Sequence, residues 1–510
     1  MSLLTAVAAF SPILLSALVI LVFRRGAATG ALSGIALAAA LILLSEAFTL
    51  DVGHVQTALG TAVILTLSAL LVIVPGLYLN AVLRAQGIVD GLVAWIESLQ
   101  VRAEPKALIL LLGFLPAVES LTGFGVSLFL GVPIFFRLFP ADKAYRLSLL
   151  GMNIMPWGTL ALATVIGASL SGYPTVVLGT ATALTSSAVF PCIGLIALYT
   201  LGGGEMLRRH GALALALGAG LSASLFLFNR IGLTETAGIL AGAMTGLGGF
   251  LLLRGRGIPA RATDPDRAGE HAPARVARLL LPYILVLALI LLTRTIGPIH
   301  RWLTDLLLLT TERVKFSVFT SPGLALAVVA FFLIRLQPVR IDHKAIWTRA
   351  RVATLGLFCF ILLAQIMRES NMIAAVATLL EQQGSGQASV MSLLSPLLGM
   401  VSGFITGSNL GGNALIMTVQ QQIGSALGEG LLFSAVQNSA AGHAVFASLP
   451  IIILVMTIAR DGSEQEKTAE HDLLRFTLKV AAFVLAAVVL ACVVVRHAGL
   501  LALVVPGAVR

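Results

Sequence analysis

Two short polar stretches interrupt an otherwise hydrophobic chain, and they hold the residue types best suited to handling a small charged molecule. The first is Glu119-Ser-Leu-Thr-Gly-Phe-Gly125 and the second is Thr406-Gly-Ser-Asn-Leu-Gly-Gly-Asn-Ala414. Both have the composition of turns rather than of spanning helices. In lipid an unpaired backbone N–H or C=O is costly, so a break is tolerated only where it is packed in protein or lines a cavity. The chemistry this allows is capture of an anion without a full positive charge. A broken helix presents free N–H groups and the positive end of its dipole. Around the breaks Ser120, Thr122, Ser408, Asn409 and Asn413 add neutral polar groups beside Gly123 and Gly411. No Arg or Lys lies within either interrupted segment, so binding there would be weak and releasable. The competing reading is that these side chains only satisfy the turn backbone.

Glu119 is the single carboxylate of the first segment. In a dry cavity it can carry a proton when a substrate anion arrives; facing a watery vestibule or a cation, it would have no such role. His443 is the second candidate for proton coupling, against the plainer reading of a structural histidine. Asn153, Gln437 and Asn438 are amides inside apolar runs, suited to a binding site or to hydrogen bonding between helices. Glu470-His471-Asp472 lies among other charges and reads as solvated surface, so no metal site and no cofactor is expected.

The elements that must position these residues follow from composition. The chain has 510 residues, 58% hydrophobic and 11% charged, with mean hydropathy +0.99. Apolar runs of spanning length recur throughout, which makes this an all-α polytopic membrane protein. The net charge of +10 does not indicate nucleic acid, because Lys and Arg cluster in short loops between apolar runs, the pattern of cytoplasmic loops. Cys192, Cys359 and Cys492 sit in apolar runs without metal or disulfide spacing. There is no His-Glu-x-x-His, no Gly-x-Ser-x-Gly and no paired intramembrane aspartate, which argues against a membrane enzyme.

About 12 spanning helices are expected, near 5–23, 28–46, 57–81, 145–170, 175–201, 211–228, 236–253, 279–297, 314–335, 352–367, 430–458 and 476–495. Residues 1–56 form two initial spans, the first read as uncleaved because its charges, Arg24-Arg25, follow the apolar run. Residues 57–201 and 352–495 each read as span, amphipathic interfacial helix, hairpin and two spans, with hairpins at 107–136 and 389–424. Residues 202–351 connect them through an arginine-rich linker at 254–278, and 496–510 form a tail. Loop charges make the first hairpin open to the cytoplasm and the second outward, with both termini outside. That is an inverted-topology repeat with two opposing re-entrant hairpins, a plan that points to a transporter site between the breaks. Gly238, Gly242 and Gly246 form a small-residue stripe for close helix packing.

At the two interrupted segments the sequence resembles the L-lactate permease family of proton-coupled 2-hydroxymonocarboxylate transporters. The resemblance is carried by Gly113-Phe-Leu with Glu119–Gly125, by Asn153 and Pro156, by Ser395-Pro-Leu-Leu-Gly399, by Phe404-Ile-Thr-Gly-Ser408 with Asn413-Ala-Leu415, and by Asp472-Leu-Leu-Arg-Phe-Thr477. It implies a secondary active transporter of a lactate- or glycolate-like monocarboxylate, coupled to protons, in the plasma (inner) membrane of a bacterium. The analogy extends to a possible homodimer. Three departures stand out: Asn409 where the family usually has an acidic residue, Ser120-Leu-Thr122 where it has small residues, and the segment His443–Pro450 where it has Ser-Pro-Gln. They leave open a dicarboxylate or inorganic oxyanion as substrate, with sodium or no coupled ion.

Overall fold

The structure, a computed structural model, describes residues 3–99, 101–123, 125–255, 273–382, 387–459 and 465–504. Its helices in order are α1 (Leu3–Leu21), α2 (Ala27–Leu44), α3 (Val52–Ala85), α4 (Ile88–Ser98), α5 (Ala103–Ile109), α6 (Leu115–Thr122), α7 (Val126–Leu138), α8 (Ala141–Leu150), α9 (Gly158–Ser171), α10 (Thr175–Thr185) and α11 (Val189–Arg230). They continue with α12 (Thr234–Gly255), α13 (Pro273–Thr295), α14 (Gly297–Leu306), the strands β1 (Leu308–Thr310) and β2 (Lys315–Ser317), α15 (Gly323–Leu336) and α16 (His343–Glu369). The last are α17 (Met372–Gln382), α18 (Gln387–Thr406), α19 (Asn409–Ala426), α20 (Gly430–Ala444), α21 (Leu449–Ala459) and α22 (Gln465–His497). Among the described residues nine helices are long and apolar enough to cross a membrane, or up to 11 if each of two bent pairs counts as one span. The chain is an all-α polytopic membrane protein, with somewhat fewer such spans than the 12 expected.

The bent pairs correct two expected straight spans. The first breaks between α8 and α9 at 52° and the second between α20 and α21 at 41°. In each a proline removes a donor and blocks the helix: Pro156 follows the first break and Pro450 lies just past the second. The span expected at 175–201 is likewise interrupted between α10 and α11, and α11 itself kinks at Gly202 and Gly203, joining two expected spans. The span expected from 314 starts only at α15. The preceding residues pair instead as a small antiparallel ribbon, Leu309 opposite Phe316, because Val314, Phe316 and Val318 alternate with polar neighbours at the two-residue period of a strand. α14 was not expected from the sequence; none of its residues is buried.

Packing explains where the breaks sit. The glycine stripe of α12 lies against the first arm of the first hairpin, as expected. A Cβ on Gly113 would come 2.5 Å from the Gly246 Cα, one on Gly242 2.6 Å from the Ala117 amide, and one on Gly238 would strike the Ser120 hydroxyl. That arm includes a π-helical turn, Leu110–Phe114, and with α5 and α6 it runs Ala103–Thr122, longer than expected and 83% buried. The second hairpin rests on α20 by the same means: a Cβ on Gly403 would strike the Ala441 carbonyl, and one on Gly412 would come 3.0 Å from the Ala441 Cβ. The amphipathic helix expected between the third span and the first hairpin forms as α4, and its residues Val89, Leu92, Val93 and Ile96 are buried against the chain. Most of the 254–278 linker and part of the 460–475 loop lie outside the described residues.

Candidate functional site

The first break is set by backbone geometry. α6 ends at Thr122 and Gly123 takes φ 66°, ψ −165°, a conformation open essentially to glycine alone. Gly125, at φ 73°, opens α7; Phe124 between them lies outside the described residues. Helix α7 begins with unpaired N–H groups, and the Glu119 carboxylate closes them. Its Oε1 accepts from the Gly125 N–H at 3.1 Å, and its Oε2 accepts from the Ser127 N–H at 3.2 Å and the Ser127 hydroxyl at 2.7 Å. Glu119 is fully buried. It therefore caps the next helix from across the break, with its acceptor oxygens placed at a positive helix end.

The second break is shorter than expected. Gly407, at φ 64°, and Ser408 alone separate α18 from α19, so Asn409, Gly411 and Asn413 belong to the first helical turns rather than to a loop. Asn409 and Asn413 favour this because their amides find partners off the helix. Ser408 is the N-cap, and its side chain makes no capping hydrogen bond. Asn409 and Asn413 both donate to the Asn438 Oδ1, at 3.1 and 2.8 Å, and the Asn438 Nδ2 donates to the hydroxyls of Thr164 (2.8 Å) and Thr182 (3.1 Å). Asn413 also donates to the Ala163 carbonyl at 2.9 Å. Gln437 donates to the Ser402 hydroxyl and the Gly412 carbonyl. The Oδ1 atoms of Asn409 and Asn413 and the Gln437 Oε1 are buried acceptors with no donor among the described residues. All these amide side chains are essentially inaccessible.

Two helices carry both breaks. A Cβ on Gly123 would strike the Thr159 hydroxyl of α9, and Asn413 bonds the Ala163 carbonyl one turn further along α9. A Cβ on Gly125 would lie 3.0 Å from Leu454 of α21, and one on Gly407 would lie 3.1 Å from Pro450, again one turn away. Both hairpin tips thus contact the second halves of the two bent pairs, the first at Thr159 and Leu454 and the second at Ala163 and Pro450. The first residues of α9 are strained: Thr159, Leu160 and Ala161 have φ of 51°, 58° and 53°. A left-handed turn costs an L-residue about 1–2 kcal/mol each, and it is held here by contacts to both tips.

The remaining expected site residues lie around this core. Asn153, in the α8–α9 break, donates to the carbonyls of Leu111 and Leu150, and its Oδ1 has no partner among the described residues. Leu111 lies in the π-helical turn, so Asn153 ties that irregular arm to the break. His443 ends α20 beside the Asn153 backbone and meets Phe190 edge-on, centroids 5.4 Å apart. Neither of its ring nitrogens makes a well-formed hydrogen bond among the described residues. Ser120 faces Gly238 of α12 rather than the break, and the Thr122 hydroxyl donates back to the Val118 carbonyl at 2.7 Å. Five contributors were not singled out from the sequence: Ser127, Thr159, Thr164, Thr182 and Ser402. A lone Ser or Thr in an apolar helix usually bonds its own helix, so nothing in the pattern separates these from the rest. Among the described residues no group of His, Cys, Asp and Glu could hold a metal ion.

With this geometry in place, comparison with known proteins adds one finding. The family model described as L-lactate permease matches residues 309–499, which takes in the second hairpin with α20 and α21 but not α9. No curated protein matches the chain.

Proposed function

We propose, for a chain that belongs to the L-lactate permease family, that it is a secondary transporter moving a small lactate- or glycolate-like monocarboxylate together with a proton by alternating access. The observation that carries this reading is a pair of buried helix N-termini, at α7 and α19, that both rest on α9 and α21. One is closed by the chain's own carboxylate and one has no side-chain cap. The substrate carboxylate would take the open end, at α19, where N–H groups and the helix dipole favour an anion. The unpaired Oδ1 atoms of Asn409 and Asn413 would accept from its 2-hydroxyl, and Asn438 would hold both amides in place. Ser408, Gly411 and Gly123 complete the backbone of this site, with Ser120, Thr122 and Asn153 holding the first hairpin behind it.

Coupling follows from the shared space. A proton on Glu119 removes the negative charge at the α7 N-terminus. An anion bound at the α19 end, which rests on the same two helices, restores a negative charge to the region. Each ligand thus favours the other, and the pair crosses with little net charge. His443 is the second candidate for the proton, buried beside the α8–α9 break. The hairpins would enter from opposite faces of a bacterial plasma membrane, as an inverted repeat in which rocking exposes the tips to one side and then the other.

The test is uptake of labelled lactate and glycolate into proteoliposomes, with and without an inward proton gradient, for the native chain and Glu119→Gln. The expected result is gradient-driven uptake that the variant loses while still exchanging substrate across the membrane. Gradient-driven uptake by Glu119→Gln would remove the proton from that residue. A second reading rests on the same three buried acceptor oxygens, of Asn409, Asn413 and Gln437, which suit a sodium ion. Uptake that follows a sodium gradient and ignores pH would favour it, and dicarboxylates and oxyanions would then be the substrates to try.

A further inference from the structure

A cavity of about 400 Å³ lies outside the hairpin site, between α3, α9, α10, the N-terminus of α12, the end of α13 and the β1–β2 ribbon. Its charged groups are Glu235, Arg294 and Lys315, with His300 beside them. Arg294 holds Glu235 through two parallel hydrogen bonds, from Nε at 2.8 Å and from Nη2. The guanidinium has five N–H donors, and Nη1 makes no hydrogen bond among the described residues. The Thr234 and Ser321 hydroxyls that line the same space are buried, at 3% and 5% exposure, and have no partner there either. The inner wall is the left-handed start of α9. Leu160, Leu162 and Val165 face the cavity, while Thr159, Ala163 and Thr164 on the same turns touch the hairpin tips and their amide network.

We infer that this cavity is a second binding site, a vestibule that takes a small monocarboxylate before it reaches the hairpin tips. The carboxylate lies on the free Nη1 edge of Arg294, whose other edge stays with Glu235, and the Thr234 and Ser321 hydroxyls serve the remaining polar atoms of the ligand. Glu235 cancels Arg294, so Lys315 leaves the cavity with one positive charge, matched to a monoanion and mismatched to a dianion. The pocket is large enough for a molecule of lactate size and is separated from the amide network by the first turns of α9. The inference deepens the transport reading and borrows from it the chemical class of the ligand.

The experiment places a thiol in the cavity as Thr320→Cys and follows its reaction with N-ethylmaleimide, a neutral reagent, by mass spectrometry of that peptide in the full chain. Saturating lactate, glycolate or acetate is expected to slow labelling at least threefold, succinate much less. Arg294→Gln should abolish the protection. Because that change strands Glu235, the double variant Glu235→Gln/Arg294→Gln is run beside it and should also be unprotected. Asn438→Ala, which disrupts the hairpin network, should leave protection intact while uptake falls. Labelling reads occupancy whether or not transport occurs. Uptake without protection, or protection that survives the loss of Arg294, overturns the vestibule; protection without uptake by the native chain keeps it and overturns the transport reading instead.

Discussion

At the first break the chain reverses through Gly123 and Gly125, and the helix that follows meets a carboxylate already in place across the gap. At the second it reverses through Gly407 and Ser408, and the helix that follows meets only amides. Both sites lie against the same two helices, α9 and α21. The difference between them is therefore one of charge rather than of architecture. A helix end carries roughly half a positive charge; at α7 a buried glutamate answers it, and at α19 no charged side chain among the described residues caps it. On the transport reading proposed above, the contrast gives the protein one helix end furnished by its own carboxyl group and one left for an anion.

The comparison breaks most visibly at the glycines. Gly123→Ala puts a methyl group into the Thr159 hydroxyl and an L-residue into a glycine-only conformation. The expected cost exceeds ~3 kcal/mol, read as loss of monodisperse protein on size exclusion. Gly407→Ala meets only Pro450, at 3.1 Å, and should cost about 1–2 kcal/mol, leaving a foldable protein with a lower melting temperature. Equal effects would mean that the two breaks are not held as differently as their contacts indicate.

Removing the hub of the second site comes next. Asn438→Ala leaves the amides of Asn409 and Asn413 short of their shared acceptor. At about 1–3 kcal/mol for each stranded buried donor, uptake should fall by roughly 100-fold, whereas Asn153→Ala, away from the open helix end, should cost uptake less than tenfold. Asn409→Asp sharpens the contrast by giving α19 a carboxylate in its first turn, in imitation of α7. When protonated the new side chain still donates to the Asn438 Oδ1, and when ionised it faces that oxygen and the substrate with like charge. Uptake at neutral pH is expected to drop about tenfold and to recover as the pH is lowered. A variant as active as the native chain at neutral pH would show that the α19 end does not receive the anion.

How much of this was legible in the sequence depends on the range of the interaction. Both breaks were readable because glycine, serine and asparagine cluster locally, and the α12 glycines announced a close helix contact that Gly113, Ala117 and Ser120 supply. The interruption between α8 and α9 was not read, although Pro156 was noted, since apolar residues on both sides suggest a continuous span. The β ribbon was hidden in the same way: Val314, Phe316 and Val318 are as hydrophobic as a helix and differ only in period. Thr164 and Thr182 were out of reach, for their partner Asn438 lies more than 250 residues away along the chain. The Glu235–Arg294 cavity is likewise assembled from scattered pieces, from Ser68 to Pro322, and no local pattern marks it.

The finest test compares two hydroxyls. Ser127 donates to the Glu119 Oε2 at 2.7 Å, a hydrogen bond to a buried charge, while the Thr406 hydroxyl beside the second break lies 2.8 Å from the carbonyls of Ser402 and Ser408. Bonds to charged groups contribute about 1.5–3 kcal/mol and neutral local ones about 0.5–1.5 kcal/mol. Ser127→Ala should therefore lower thermal stability more than Thr406→Ala, although both remove one hydroxyl from a helix end. The charge origin of the excess is checked with Glu119→Gln: in that background Ser127→Ala should cost no more than Thr406→Ala, because its partner is then a neutral amide oxygen. A cycle of this kind isolates the coupling between the two residues from the cost of each truncation. If the excess survives the loss of the carboxylate charge, Ser127 acts through packing against Met152 rather than through Glu119, and the capped state of α7 is a matter of shape rather than of charge.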